Sequence, residues 1–231
     1  MGRLIFKKCA AAMAGFLLVG SSAFGAIEWT LNYEFSEATQ PEGYLFAKLE
    51  NVTGGVQLTL ESHLAGSEFV GTNPQAQGGW LFNVASAFAN GNLNVSEVTR
   101  SGSFLWDTTA AHFQQTPGNN EYRADGDGLY DFRFIFSNSG GATDRFGGSD
   151  RLVVLLSSSV PGLDETDFQL LSEDTGGKGP FYVAAHVQSI GPNGESGWIT
   201  VPEPSTVIAG ALLLLPFAAS TVRFMRKNRT A

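Results

Sequence analysis

Several stretches of this chain alternate apolar and polar residues with a period of two. That rhythm fits a strand with one buried face, not a helix. Ile27, Trp29, Leu31, Tyr33 and Phe35 alternate with Glu28, Thr30, Asn32 and Glu34. Val56, Leu58 and Leu60 alternate with Gln57, Thr59 and Glu61, and Phe181, Val183, Ala185 and Val187 repeat the pattern late in the chain. Tyr130, Phe132, Phe134 and Phe136 share one predicted face, opposite Leu129, Asp131, Arg133 and Ile135. The run Arg151 to Ser157 is apolar without alternation, as in a strand covered on both faces. Weaker strand candidates are 43–50, 80–84, 93–98 and 167–171, while 84–90 reads as one or two helical turns. Clusters such as Gly54-Gly55, Gly78-Gly79 and Asn90-Gly91 punctuate them. The expected fold is all-β, an antiparallel β-sandwich of jelly-roll type with about nine short strands over 26–190. Residues 191–201, rich in glycine and turn formers, read as a linker.

Charge is unevenly placed along the chain. Arg3, Lys7 and Lys8 stand at one end and Arg223, Arg226, Lys227 and Arg229 at the other. Between them seven basic residues face 22 acidic ones, which leaves the body at −15. Such a field repels a phosphate backbone, so nucleic acid is not an expected partner. The single cysteine, Cys9, falls in the first of two export-related segments. A mature chain without it has no disulfide, no cysteine-ligated metal and no cysteine nucleophile.

The N-terminal segment has the form of a signal peptide over 1–25. A basic start precedes the apolar run Cys9 to Gly20, which is too short to span a bilayer comfortably. Ala23 and Gly25 supply small side chains for cleavage after Gly25, within a residue or so. Cys9 does not fit a lipoprotein signal, because Phe6-Lys7-Lys8 precedes it.

The C-terminal segment, 202–231, has three parts in order. Pro202-Glu203-Pro204 is stiff, extended and poor in backbone donors. Ser205 to Val222 carries no charge, and as a helix it would cover about 27 Å, close to the thickness of a bilayer core. Arg223, Arg226, Lys227 and Arg229 then hold that end in the cytoplasm by the positive-inside rule, leaving the body outside.

This tripartite tail, over 201–229, resembles the PEP-CTERM sorting signal of Gram-negative bacteria. Pro202, Glu203 and Pro204 match its motif residue by residue. The resemblance implies a membrane-embedded processing enzyme of the exosortase type as partner, transient anchoring by the C-terminal helix, and association with extracellular polysaccharide. The run 181–199 also resembles the last segment of one common group of such surface proteins.

Chemistry in the body is sparse. Asp125, Asp127 and Asp131 lie on the glycine-rich stretch Asp125-Gly126-Asp127-Gly128, where carboxylates can converge on a Ca²⁺ ion. The stretch lacks the third Asp/Asn and the terminal Glu of an EF-hand loop, and the simpler reading is a solvated Asp-Gly hairpin turn before the aromatic strand. The loop Asp144 to Arg151 reads as a structural, salt-bridged loop. None of His63, His112 and His186 has a second His at metal spacing, and His186 reads as the decoration of a strand.

Three functions follow, in order of preference. The first is an exported, non-enzymatic cell-surface or extracellular-matrix protein with no required cofactor. The second is a carbohydrate-binding module that uses Trp80, Trp106, Tyr122 and Tyr130 as stacking platforms. The third is a secreted hydrolase, for which the chain shows no G-x-S-x-G elbow and no designated catalytic residue.

Overall fold

A computed structural model describes residues 25–202 except 73–77, 116–120, 126, 140, 142–143 and 174, and for Asp127 the backbone alone. The signal peptide up to residue 24, Glu203, Pro204, the apolar run 205–222 and the basic residues Arg223, Arg226, Lys227 and Arg229 lie outside the described residues. Among the described residues no helix is long and apolar enough to cross a membrane.

The described chain is all-β and antiparallel, with a 3-10 turn at Glu165–Phe168. Strands are numbered in chain order. The first sheet runs β1 (Ala26–Leu31), β3 (Leu45–Val52), β4 (Gly55–Ser62), β13 (Arg151–Ser158) and β7 (Leu93–Ser101). Its register sets Ile27, Leu49, Leu58 and Val154 in one inward row and Trp29, Ala47, Leu60 and Leu152 in the next.

The second sheet is built on β14 (Val183–Ile190). On one side of it lie β15 (Glu195–Thr200) and then β2 (Tyr33–Glu34). On the other side β5 (Phe69–Val70) and β6 (Trp80–Phe82) pair with successive parts of the same strand. Beyond these, β12 (Phe146–Gly147) pairs with β5, and β11 (Phe132–Phe134) pairs with β6 and with β8 (Phe113–Gln115). Cross-strand rows Phe134–Trp80–Ala185 and Phe132–Phe82–Val183 face the first sheet.

One core draws on both sheets, giving a sandwich-like arrangement. The aromatic rings touch one another within it. Phe82 lies 5.4 Å from Phe132, 6.0 Å from Phe134 and 6.2 Å from both Trp29 and Trp80, centroid to centroid. Each such buried side chain contributes about 1.5–3 kcal/mol relative to exposure.

A smaller core covers the outer face of the second sheet. It joins Leu81, Ala184 and Trp198 of that sheet with Phe35, Phe181 and the hairpin β9 (Tyr122–Ala124) and β10 (Asp127–Tyr130). Four expectations are corrected here. The predicted strand from Ile27 to Phe35 breaks at Asn32, so β1 and β2 enter different sheets and Phe35 joins the outer core. The strand from Tyr130 to Phe136 breaks at Asp131, whose N–H donates to Phe82 O and whose carboxylate accepts Val84 N–H at 2.9 Å. Tyr130 therefore packs in the outer core while Phe132, Phe134 and Phe136 enter the main one. Residues 191–201 are not a linker: after a four-residue turn, β15 pairs with β14 along its length. Residues 167–171 form no strand, because Asp164 caps the 3-10 turn, accepting Thr166 N–H while its own N–H donates to Asp167.

Candidate functional site

At one end of the sandwich the loops leave a cavity of about 380 Å³, within the range of small-ligand sites. It is lined by the chain entering β5 (Ser67, Glu68), by Gly102 and Ser103 after β7, and by the loop from Arg145 to Asp150. The Arg145 guanidinium stacks on Phe69, with its carbon 4.4 Å from the ring centroid. Arg145 Nε is buried and has no hydrogen-bond partner among the described residues. No carboxylate pairs with Arg145 there either, although the body is strongly acidic.

Asp150 faces the same space. Its Oδ2 accepts Gly147 N–H at 3.0 Å, and burial raises its carboxyl above the ordinary aspartate value against that hydrogen bond. Gly102 makes room for the carboxylate: its φ is +111°, and a Cβ there would stand 1.8 Å from Asp150 Oδ1. Glu68 is buried and fully engaged, accepting N–H from Glu42 and Ala65. The expected internal salt bridges of the 144–151 loop do not form among the described residues. Arg151 instead pairs with Glu61 of β4 at 2.8 Å, where it borders the exposed Tyr44–His63 stack through the Glu61–His63 contact. An unpaired guanidinium beside an acceptor-rich wall suits a small hydroxylated ligand that carries a negative group.

The aromatics expected to stack on sugars are elsewhere. Trp80 and Tyr130 are fully buried, and Trp106 and Tyr122 nearly so, each inside one of the two cores, with Trp106 packed near Phe134. Tyr33 and Tyr44 are the exposed ones among the described tyrosines.

The aspartates nominated for Ca²⁺ have separate partners. Asp125, at a turn with φ +48°, pairs with Lys178 Nζ at 3.0 Å, and Lys178 also reaches Glu37. Asp131 is buried and holds Val84 N–H. The Asp127 side chain lies outside the described atoms. Among the described residues no three His, Cys, Asp or Glu side chains gather as a metal site.

His186 is not a surface decoration. It is 4% exposed, packs at a tilt against Trp198 with ring centroids 5.0 Å apart, and donates from Nδ1 to Gly71 O at 3.0 Å. Burial holds its pKa below the ordinary histidine value, opposed by the Gly71 carbonyl and by the charge of Asp125. The unfolded chain therefore takes up this proton first. The contribution of His186 is complete above about pH 6.5, the free-histidine value, and declines as pH falls from there through the lower folded-state pKa. The expected result is a melting temperature that drops between pH 7 and 5 in wild type and drops less in His186→Asn, read by thermal denaturation across that range.

Comparison with protein-family models, with curated proteins and with solved structures returned no match to this chain, so its assignment rests on its own residues.

Proposed function

We propose that this chain is an exported, non-enzymatic cell-surface or extracellular-matrix protein, sorted through Pro202-Glu203-Pro204 and kept with extracellular polysaccharide. The observation that carries the reading is the order of the tail: a Pro-Glu-Pro motif, an uncharged run over 205–222, then Arg223, Arg226, Lys227 and Arg229. The junction is compatible with it. β15 ends at the buried Thr200, Val201 packs on the core, and Pro202 is exposed at the margin of the folded body. An exosortase-type enzyme would thus meet the first residue of the motif, Pro202, exposed beside a folded domain that resists entry into its site. The body reads as a jelly-roll sandwich. The passages of the chain from β4 to β5, β6 to β7 and β12 to β13, each from one sheet to the other, support that reading.

Intact mass of the protein exported by its native host tests the proposal. The expected species begins near Ala26 and lacks 207–229, and Glu203→Ala slows its appearance without altering the fold of the body. Exported protein that keeps 207–229 in most molecules would defeat the sorting reading.

A second reading, a saccharide-binding module, is favoured by the cavity holding Arg145 and Asp150. Polysaccharide fragments from the host should then bind in a titration, and Arg145→Gln should remove that binding. Fragments that bind wild type and Arg145→Gln equally would place the contact elsewhere.

A further inference from the structure

Glu165 opens the 3-10 turn and is 8% exposed. Its Oε2 is buried with no hydrogen-bond partner among the described residues, and no Lys, Arg or His there pairs with it. A carboxylate removed from water without donors is costly, so such a group calls for a partner. Gly25 lies close by: a Cβ built on it would be 3.7 Å from Glu165 Oε1. Three bonds of about 1.5, 1.5 and 1.3 Å separate that position from Ala26 N, which places the nitrogen within about 7 Å of the carboxylate.

We infer that Glu165 is the receptor for the α-ammonium group that cleavage of the leader creates at the start of the mature chain. In the uncleaved chain the nitrogen at this point is a neutral amide whose position is tied to the preceding residues. Hydrolysis of the Gly25–Ala26 peptide by water leaves the leader with a carboxylate and gives Ala26 a protonated amine. The new end, exposed at Ala26, can turn toward Glu165 and pair with a carboxylate that is itself mostly removed from water, where an ion pair is screened less than between two exposed groups. The charged surroundings favour a cation. Ala26 sits opposite Glu50, Glu28 follows on β1, and Asp164 and Asp167 flank Glu165 on its own turn. Among the described residues Lys48, on β3 beside them, already bridges Glu28 and Glu50. Glu165 N–H is taken by Asn51 Oδ1 at 2.9 Å, which fixes the turn against β3 and holds the side chain in place. Folding of the mature body is thereby coupled to its release from the leader.

The inference rests on the signal-peptide reading, and the test separates the two. The full exported protein is prepared as wild type and as Glu165→Gln, and its mass first establishes the N-terminal residue. The α-amine is then labelled with an acylating reagent at pH 7, native and in urea. In wild type the native amine is expected to react at least tenfold more slowly than in urea, because the carboxylate keeps it protonated, and Glu165→Gln should remove most of that protection. A raised amine pKa in the folded state also means stability that is full below the free-amine value of about 7.7–8.0 and is lost as pH rises through the folded value. The wild-type melting temperature should accordingly fall between pH 8 and 10 more steeply than that of Glu165→Gln. A start at a distant residue would overturn the cleavage reading and the inference together. A start at Ala26 or its neighbour, with equal labelling in both states of the wild type, would overturn the inference alone. The wild-type comparison stands even if Glu165→Gln fails to fold.

Discussion

Phe82→Ala is expected to destabilise the body by about 3–5 kcal/mol. Phe82 is fully buried at the centre of the second sheet and contacts rings from both sheets, Trp29 among them. The hole left by its ring is bounded by Trp80, Phe132 and Phe134, all fully buried and fixed by strand pairing on either side. Such walls relax poorly, so both the transfer and the cavity contributions are felt. In a domain of this size the loss corresponds to a melting temperature lower by about 10 °C. Phe82→Leu, which restores much of the volume, should recover more than half of it. Urea denaturation with an unchanged slope would attribute the loss to the native state.

Gly79→Ala should have an effect of similar size through the backbone. Gly79 has φ +91°, and an added Cβ would meet Phe134 O at 2.2 Å. Phe134 O belongs to the neighbouring strand and cannot move without loosening the pairing of β11 with β6. The residue also anchors the sheet where β5 and β6 meet. Its N–H donates to Gly71 O and its carbonyl accepts His186 N–H, both at 3.0 Å. A positive φ at alanine costs about 1–3 kcal/mol, and forcing the carbonyl aside costs about as much again. The expected loss is about 2–5 kcal/mol by chemical denaturation. Gly91→Ala is the control: its φ is +79°, but a Cβ there meets nothing within 4 Å, so only the conformational part should appear.

The alternation of Val56, Leu58 and Leu60, and of Ile27, Trp29 and Leu31, was sufficient to place β4 and β1, because each presents one face to a single core. The reading failed where a strand serves two cores. Nothing local marks Asn32 or Asp131 as a break; the breaks arise because the β9–β10 hairpin folds over the outer face of the second sheet and needs Tyr130 and Phe35 on that side. The same layer explains why Tyr122 and Tyr130 are inside: residue type predicts stacking capacity, but exposure depends on what lies above. β15 was hidden by the glycines at 191, 194 and 197, which look like a linker until β14 is there to pair with. The cavity was partly legible, since the 144–151 loop stood out, but its charges were read as a structural salt-bridged loop. Glu165 carried no signal at all. Its character comes from the approach of Gly25, far away in sequence.

The position of β15 has a mechanical consequence. It lies between β14 and β2, antiparallel to both, and leads directly to Val201. A tether at that end transmits tension along the strand axis. The hydrogen bonds to β14 then share the load in shear, all at once, where a strand pulled sideways would unzip them one by one. The short contact with β2 adds Ile199–Glu34 and Thr200–Tyr33 at the end of the strand, and Thr200 Oγ1 donates to Val183 O at 2.6 Å. If the body is held by that end, drag on it would be resisted first along the strongest direction of the sheet, with the early segment carrying β2 as a clasp on the last strand.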